Sequence, residues 1–281
     1  RGQQGTLFGR NATGGLVHLI TNKPTEESEG YVILGAGSYD SYTFQGAISG
    51  SLSDTVKGRL ALYHSQADGF IENEIGPDQI EDDTSAGRLH LHYTPSDKLD
   101  ILLSADFYKM DIDNVGAAYS QASMVDPVTG LGFNVGNGSN SITGYIDSDG
   151  DMYSGAFNQP GFLERDSHNL IANISYDFGG VRLVSLSNYN SVETDYLEDN
   201  DISPFAFTEF GQTGDSDTFS QELRVEEVEG NTRWTAGVYY LNIDGKYSQD
   251  LGVTPPPFFN AAIVALGQEA IWSVETTSYS I

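Results

Sequence analysis

From His168 to Phe178, apolar and polar side chains alternate. Leu170, Ala172, Ile174, Tyr176 and Phe178 fall on one side, and Asn169, Asn173, Ser175 and Asp177 on the other, with Ile171 the exception. A period of two belongs to a β-strand with one apolar face. The same alternation sets Ile101, Leu103, Ala105 and Phe107 against Ser104, Asp106 and Tyr108. It separates Leu89, Leu91 and Tyr93 from Arg88, His90 and His92, and Phe219, Leu223 and Val225 from Ser220, Glu222, Arg224 and Glu226. Extended along the chain, it predicts strands at 31–39, 42–52, 55–66, 84–94, 98–110, 168–178, 181–194, 217–229, 232–244 and 272–281. Several are longer than the usual soluble strand of about 5–6 residues.

The connections between these strands alternate in length. Short ones fall at Asp40-Ser41, Ser53-Asp54, Pro95-Ser96-Asp97, Gly179-Gly180 and Gly230; long ones cover 67–83, 111–167, 195–216 and 245–271. Gly179-Gly180 is a two-residue hairpin signal. Short turns at one end and long loops at the other are the plan of a transmembrane barrel, although at the first hairpin both connections are short. A soluble β-sandwich or β-helix also alternates, but strand length and the asymmetry of the turns favour the barrel. The longest charge-free apolar run, Phe258 to Leu266, is far below the roughly 20 residues of a membrane helix. A membrane form must therefore be a barrel. The expected fold is all-β, an antiparallel transmembrane β-barrel. Tyr39, Tyr63, Tyr93, Tyr108, Trp234 and Trp272, near strand ends, suit its aromatic girdles.

Composition narrows the function. Lys and Arg number 13 against 40 Asp and Glu, a net charge of −27, which excludes nucleic-acid binding through a basic face. No Cys is present, so disulfides, thiolate zinc sites and cysteine nucleophiles are excluded. With 16 Tyr and 14 Phe the chain is too aromatic for disorder.

Residues 1–29 differ from the rest: Gly-rich, without an acid before Glu26, and closed by Pro24 and the acidic Glu26, Glu27 and Glu29. A boundary is expected there. Arg1-Gly-Gln-Gln-Gly-Thr-Leu-Phe-Gly-Arg-Asn-Ala-Thr-Gly-Gly15, followed by Leu-Val-His-Leu-Ile-Thr-Asn-Lys-Pro24, resembles the end of the plug domain of TonB-dependent outer-membrane receptors. Gln3 stands where the family commonly has Pro, and Leu16-Val17-His18 where a pair usually ends in Asn. Phe219-Ser-Gln-Glu-Leu-Arg224 and Trp234-Thr-Ala-Gly-Val-Tyr-Tyr240 resemble strand motifs of the same family. The resemblance implies a barrel of about 22 strands filled by an N-terminal plug. Residues 1–29 would be the C-terminal end of that plug and 30–281 the first part of the barrel. The chain opens on Arg1 inside the motif, which reads as an internal piece with targeting and TonB-contact segments upstream.

In the plug motif Gly5, Gly9, Gly14 and Gly15 permit close backbone approach, Arg10 can pair with an acid on the lumen wall, and Asn11 can turn or cap. A phosphate-binding Gly loop is excluded, because neither G-x-x-x-x-G-K-[ST] nor G-x-G-x-x-G precedes a helix. Asp147, Asp149 and Asp151 have the i, i+2, i+4 spacing of a cation-binding loop. Met152 and Asn158, however, occupy the turn-glycine and bidentate-Glu positions, which favours a solvated acidic loop. His90 and His92 share one strand face and read as polar lumen residues bonded to the plug. Glu222, Arg224 and Glu226 read as a charge ladder facing the lumen rather than a hydrolase acid pair. Asn260 to Leu266 is a candidate short helix capped by Asn260.

The resemblance implies no catalytic residue and no cofactor. It implies a protein of the bacterial outer membrane whose partners are the lipid, the TonB energy-transducing complex and a small-molecule chelate or glycan. The leading expectation is TonB-dependent uptake of an iron–siderophore complex. The alternatives are glycan or cobalamin import, or a secreted β-rich adhesin or hydrolase; a passive porin would lack the plug motif. Surface acids would repel an anionic ferric chelate. Two readings of the charge therefore stay open. In one, the acids lie in outer loops that bind divalent cations and bridge to anionic lipid headgroups. Otherwise the ligand is neutral or cationic, held by stacking on Phe157, Phe162, Phe205, Phe207, Phe210, Phe258 and Phe259.

Overall fold

A computed structural model describes residues 20–115, 123–125, 132–134, 151, 153–200, 203–206, 208–229, 232–253 and 268–280. All ten expected strands form: β1 (Glu29–Ala36), β2 (Tyr42–Ser51), β3 (Val56–Ala67), β5 (Glu81–Ser96), β6 (Leu99–Asp113), β10 (Phe162–Asp177), β11 (Val181–Asp199), β12 (Thr208–Glu227), β13 (Thr235–Val253) and β14 (Gln268–Ser280). They make one antiparallel ten-stranded sheet in chain order, an up-and-down meander. The four short strands β4 (Glu72–Asn73), β7 (Ser123–Val125), β8 (Gly132–Asn134) and β9 (Ser154–Gly155) pair in the connections, as β4–β9 and β7–β8. Among the described residues no second large sheet covers the apolar face, as a sandwich would require. β1 and β14 are unpaired edges of this sheet.

Paired residues share a face, so the register assigns every side. Leu170 lies in line with Ala105, Leu89, Leu60 and Ile48, and with Tyr189 and Phe219. This outer face is open, with Leu34 75%, Ile48 65% and Phe178 61% exposed; soluble proteins do not present so continuous an apolar surface to water. Asn169 shares the opposite face with Asp106, Arg88 and Asn190. Residues 21–26 run against this inner face. Thr21 bonds His90 at 3.1 Å, the backbone N–H of Thr25 donates to Ser49 at 2.9 Å, and Lys57 meets Glu26 at 2.7 Å.

The turn Gly179-Gly180 has φ of 80° and 82°, the two positive values of a type I′ hairpin. Phe178 N–H donates to Val181 C=O across it at 2.9 Å. The first hairpin turns at 37–41, at the end where the long connections lie; its connection is simply short.

The strands outrun their expected upper ends, which corrects the loop lengths. The connection expected at 195–216 shrinks to 200–207, that at 245–271 to 254–267, and that at 111–167 to 114–161. Alternation marks a strand only while one face is apolar. Past Ser191 on β11, and from Thr208 to Ser216 on β12, both faces are largely polar, yet backbone pairing continues as far as Asp199↔Glu209. Hydrogen bonding outlasts the hydrophobic signal.

Aromatic placement also needs correcting. Tyr63, Tyr108 and Trp272 register on the inner face, so they cannot belong to a lipid-side girdle. The outer aromatic line is Phe107, Tyr189, Phe219, Tyr240 and Tyr279. Phe219 and Tyr240 stand 6.1 Å apart, and Tyr240 and Tyr279 5.2 Å. Just beyond this line the outer face turns acidic, with Asp111, Asp166, Glu193, Asp217, Asp244 and Glu275.

Candidate functional site

The inner face carries the chemistry. Every strand arginine among the described residues registers there: Arg59, Arg88, Arg165, Arg182 and Arg224. Four of them are paired. Arg59 faces Glu29 at 3.8 Å, and Arg88 bonds Asp106, which also accepts from Asn169 at 3.1 Å. Arg182 reaches Asp177 at 3.5 Å and Glu226 at 3.7 Å. Arg224 sits between Glu222 and Glu226. The ladder expected of Glu222, Arg224 and Glu226 therefore forms, with Arg182 tying it to the next strand. The strand arginines lie inside, Lys109 and Lys246 and most of the strand acids outside, so the net charge of −27 says little about the interior.

His90 and His92 share the inner face but do not converge. His90 bonds Ser104 at 2.7 Å and Thr21 at 3.1 Å, and His92 bonds Asp100 at 2.8 Å. Each ring is engaged by different neighbours, so the pair is not poised on a common metal. Among the described residues no group of three or more His, Asp or Glu could hold a metal ion. Asp147 and Asp149 lie outside the described residues; Asp151 accepts from the backbone N–H of Tyr153 at 2.9 Å. Gly5, Gly9, Arg10, Asn11, Gly14 and Gly15 also lie outside them, as do the candidate helix at 260–266 and Phe207, Phe258 and Phe259.

Above the aromatic line the inner wall holds two ring pairs. Tyr196 and Phe210 meet edge to face at 6.2 Å. The Tyr196 hydroxyl donates to Glu198, and burial together with this bond raises its pKa. Tyr247 and Trp272 stack at 6.0 Å with 21° between planes. The Tyr247 ring lies over Gly214 and Gly245, where a Cβ would come within 3.1 Å and 2.9 Å of it; glycine there lets the ring lie flat against the wall.

The upper connections are latched together. The Asn73 side chain donates to Phe157 C=O at 3.0 Å and accepts from Phe157 N–H at 3.0 Å. Asp199, fully buried, accepts from the backbone N–H groups of Asn158 at 3.1 Å and Gln159 at 3.4 Å. Phe157 is buried in this latch, which removes it from the residues expected to stack on a ligand; Phe205 stays exposed.

No family model matches the chain. It is 34% identical over 101 residues to the pesticin receptor of Yersinia pestis, covering 35% of this chain and 15% of that protein. It is 35% identical over 82 residues to a vitamin B12 transporter of Photobacterium profundum, covering 29% and 14%. The solved ferric yersiniabactin uptake receptor of Yersinia pestis superposes with a TM-score of 0.67 at 20% identity, over 90% of this chain and 36% of that one. These relatives and neighbours are outer-membrane receptors, to which the chain is similar in part of its sequence and in fold. The chain spans about a third of the solved receptor's length. As a partial barrel of the bacterial outer membrane, the sheet has its outer face on the lipid side and its inner face as the lumen wall. The unpaired edges β1 and β14 fit a partial barrel.

Proposed function

We propose that the protein takes up a ferric chelate across the outer membrane through a plugged barrel, driven by the TonB complex. The observation that carries this reading is chain inside the lumen: residues 21–26 are fastened to the inner wall through Thr21–His90, Thr25–Ser49 and Glu26–Lys57. A porin lacks the plug motif that leads into this segment. Residues 1–29 are assigned to the end of the plug and 30–281 to the barrel. The outer membrane has no ATP or ion gradient, so release of a tightly held ligand needs a pull transmitted from the inner membrane. No catalytic step is assigned; the carboxylates of the charge ladder are engaged by arginines. The similarity to a vitamin B12 transporter favours cobalamin as the second reading.

The test is growth of a receptor-deletion strain and its complemented parent under iron limitation on ferric chelates, and separately on cobalamin and on glycans. Loss of growth on one chelate class, restored by the gene, is the expected result. A defect confined to cobalamin or glycans would replace the substrate and leave the transporter.

A further inference from the structure

Arg165 is the one strand arginine on the inner face without a carboxylate partner among the described residues. Its only hydrogen bond among the described residues is Nε donating to Thr194 Oγ1 at 3.2 Å, and it is exposed. The sequence hides this, because Glu164 and Asp166 flank it. Strand alternation turns both acids to the outer face and leaves the guanidinium alone on the wall. Arg165 belongs to one inner row: Thr84, Met110, Arg165, Thr194, Gly214, Tyr247, Trp272. Three ladder steps separate Arg165 from Tyr247, about 14 Å between backbones. Only Thr194 and Gly214 lie between them, so the span is a shallow floor with a cation at one end and the Tyr247–Trp272 stack at the other. A guanidinium kept free in this position offers paired donors to a planar anion.

Resting on the uptake reading, we propose that Arg165 selects an anionic chelate, binding its peripheral carboxylate or phenolate oxygens while the Tyr247–Trp272 pair packs against its aromatic portion. The acids nearest Arg165 along and across the strands, Glu164, Asp166, Glu193 and Asp215, face the outer side of the wall. Selection by charge therefore happens after entry, inside the mouth.

The experiment uses the full-length receptor in outer-membrane vesicles. The probes are a ferric tris-catecholate, which is anionic, a ferric tris-hydroxamate, which is neutral, and cyanocobalamin. Their binding is compared across wild type, Arg165→Gln, Arg165→Lys, and Lys246→Gln, a cation removed from the outer face of β13. The expected result is preference for the anionic chelate, a loss of about tenfold or more in Arg165→Gln, partial recovery in Arg165→Lys and no change in Lys246→Gln. The affinity of wild type should fall with salt more steeply than that of Arg165→Gln. Unchanged binding of the anionic chelate by Arg165→Gln, or wild-type preference for the neutral one, overturns the selectivity and leaves uptake intact. Binding of cyanocobalamin alone, or of none of the probes, overturns the ferric-chelate reading as well.

Discussion

Ile174→Arg places a cation in the middle of the lipid-facing band. On β10 that band runs from Leu170 to Phe178, with Phe178 just beyond the strand end. Eight residue steps of about 3.4 Å make roughly 27 Å along the strand, or about 20 Å of height at a tilt near 40°. Ile174 sits halfway, about 10 Å from either edge, and its outer-face neighbours are Ile101 and Ser185. A charge near the midplane of a barrel's lipid face costs roughly 2–4 kcal/mol, a factor of about 30 to 1,000 in the folding equilibrium. Two controls bracket it. Ser175→Arg points inward beside Asp100 and should cost far less. Asp166→Arg lies on the same outer face but beyond the aromatic line, where the cost falls to about 0–1 kcal/mol. The assay is equilibrium denaturant titration of the full-length receptor refolded in lipid vesicles. Equal losses at 174 and 175 would refute the facing, and an Asp166→Arg as costly as Ile174→Arg would refute the membrane edge.

Asp199→Ala strips the buried acceptor from Asn158 and Gln159, and leaving buried N–H groups unmet costs about 1–3 kcal/mol. Amide exchange should quicken over 153–161 while β10 to β13 stay protected; unchanged exchange there would discount the latch. The Glu26–Lys57 pair makes the fastening of residues 21–26 sensitive to acid. Hydrogen bonding and attraction from Lys57 lower the Glu26 pKa below its ordinary 4.5. The pair's contribution is therefore complete above that value and is lost as pH falls below it. Exchange of residues 21–26 should rise in that window, and the rise should vanish in Lys57→Met. Expressed by itself, the 281-residue chain leaves β1 and β14 as open edges, which lipid cannot satisfy. It should aggregate, and a soluble monomer melting cooperatively would contradict the barrel.

The strands and their faces were legible because hydrophobic burial against lipid imposes a period of two, and β10 keeps it from Leu170 to Tyr176 with Ile171 alone out of place. What was hidden lies where that pressure ends. The upper halves of β11, β12 and β13 have polar side chains on both faces, so no periodicity reports them. The Asn73–Phe157 latch joins residues 84 apart, a pairing no local pattern announces. Tyr63, Tyr108 and Trp272 look like girdle aromatics by position and turn inward by parity. Arg165 drew no notice in the sequence for a related reason: it stands between two acids, and only strand geometry separates them. The total charge misled because it averages an acidic outer belt with an inner wall that carries the arginines.

The central claim is powered uptake through a plugged barrel, and iron transport measures it directly. Cells carrying the full-length receptor are given a radiolabelled ferric tris-catecholate, with and without a working TonB complex. Surface binding in both and internal iron only in energised cells is the predicted result. Equal internal iron in both would mean a passive pore and contradict the account.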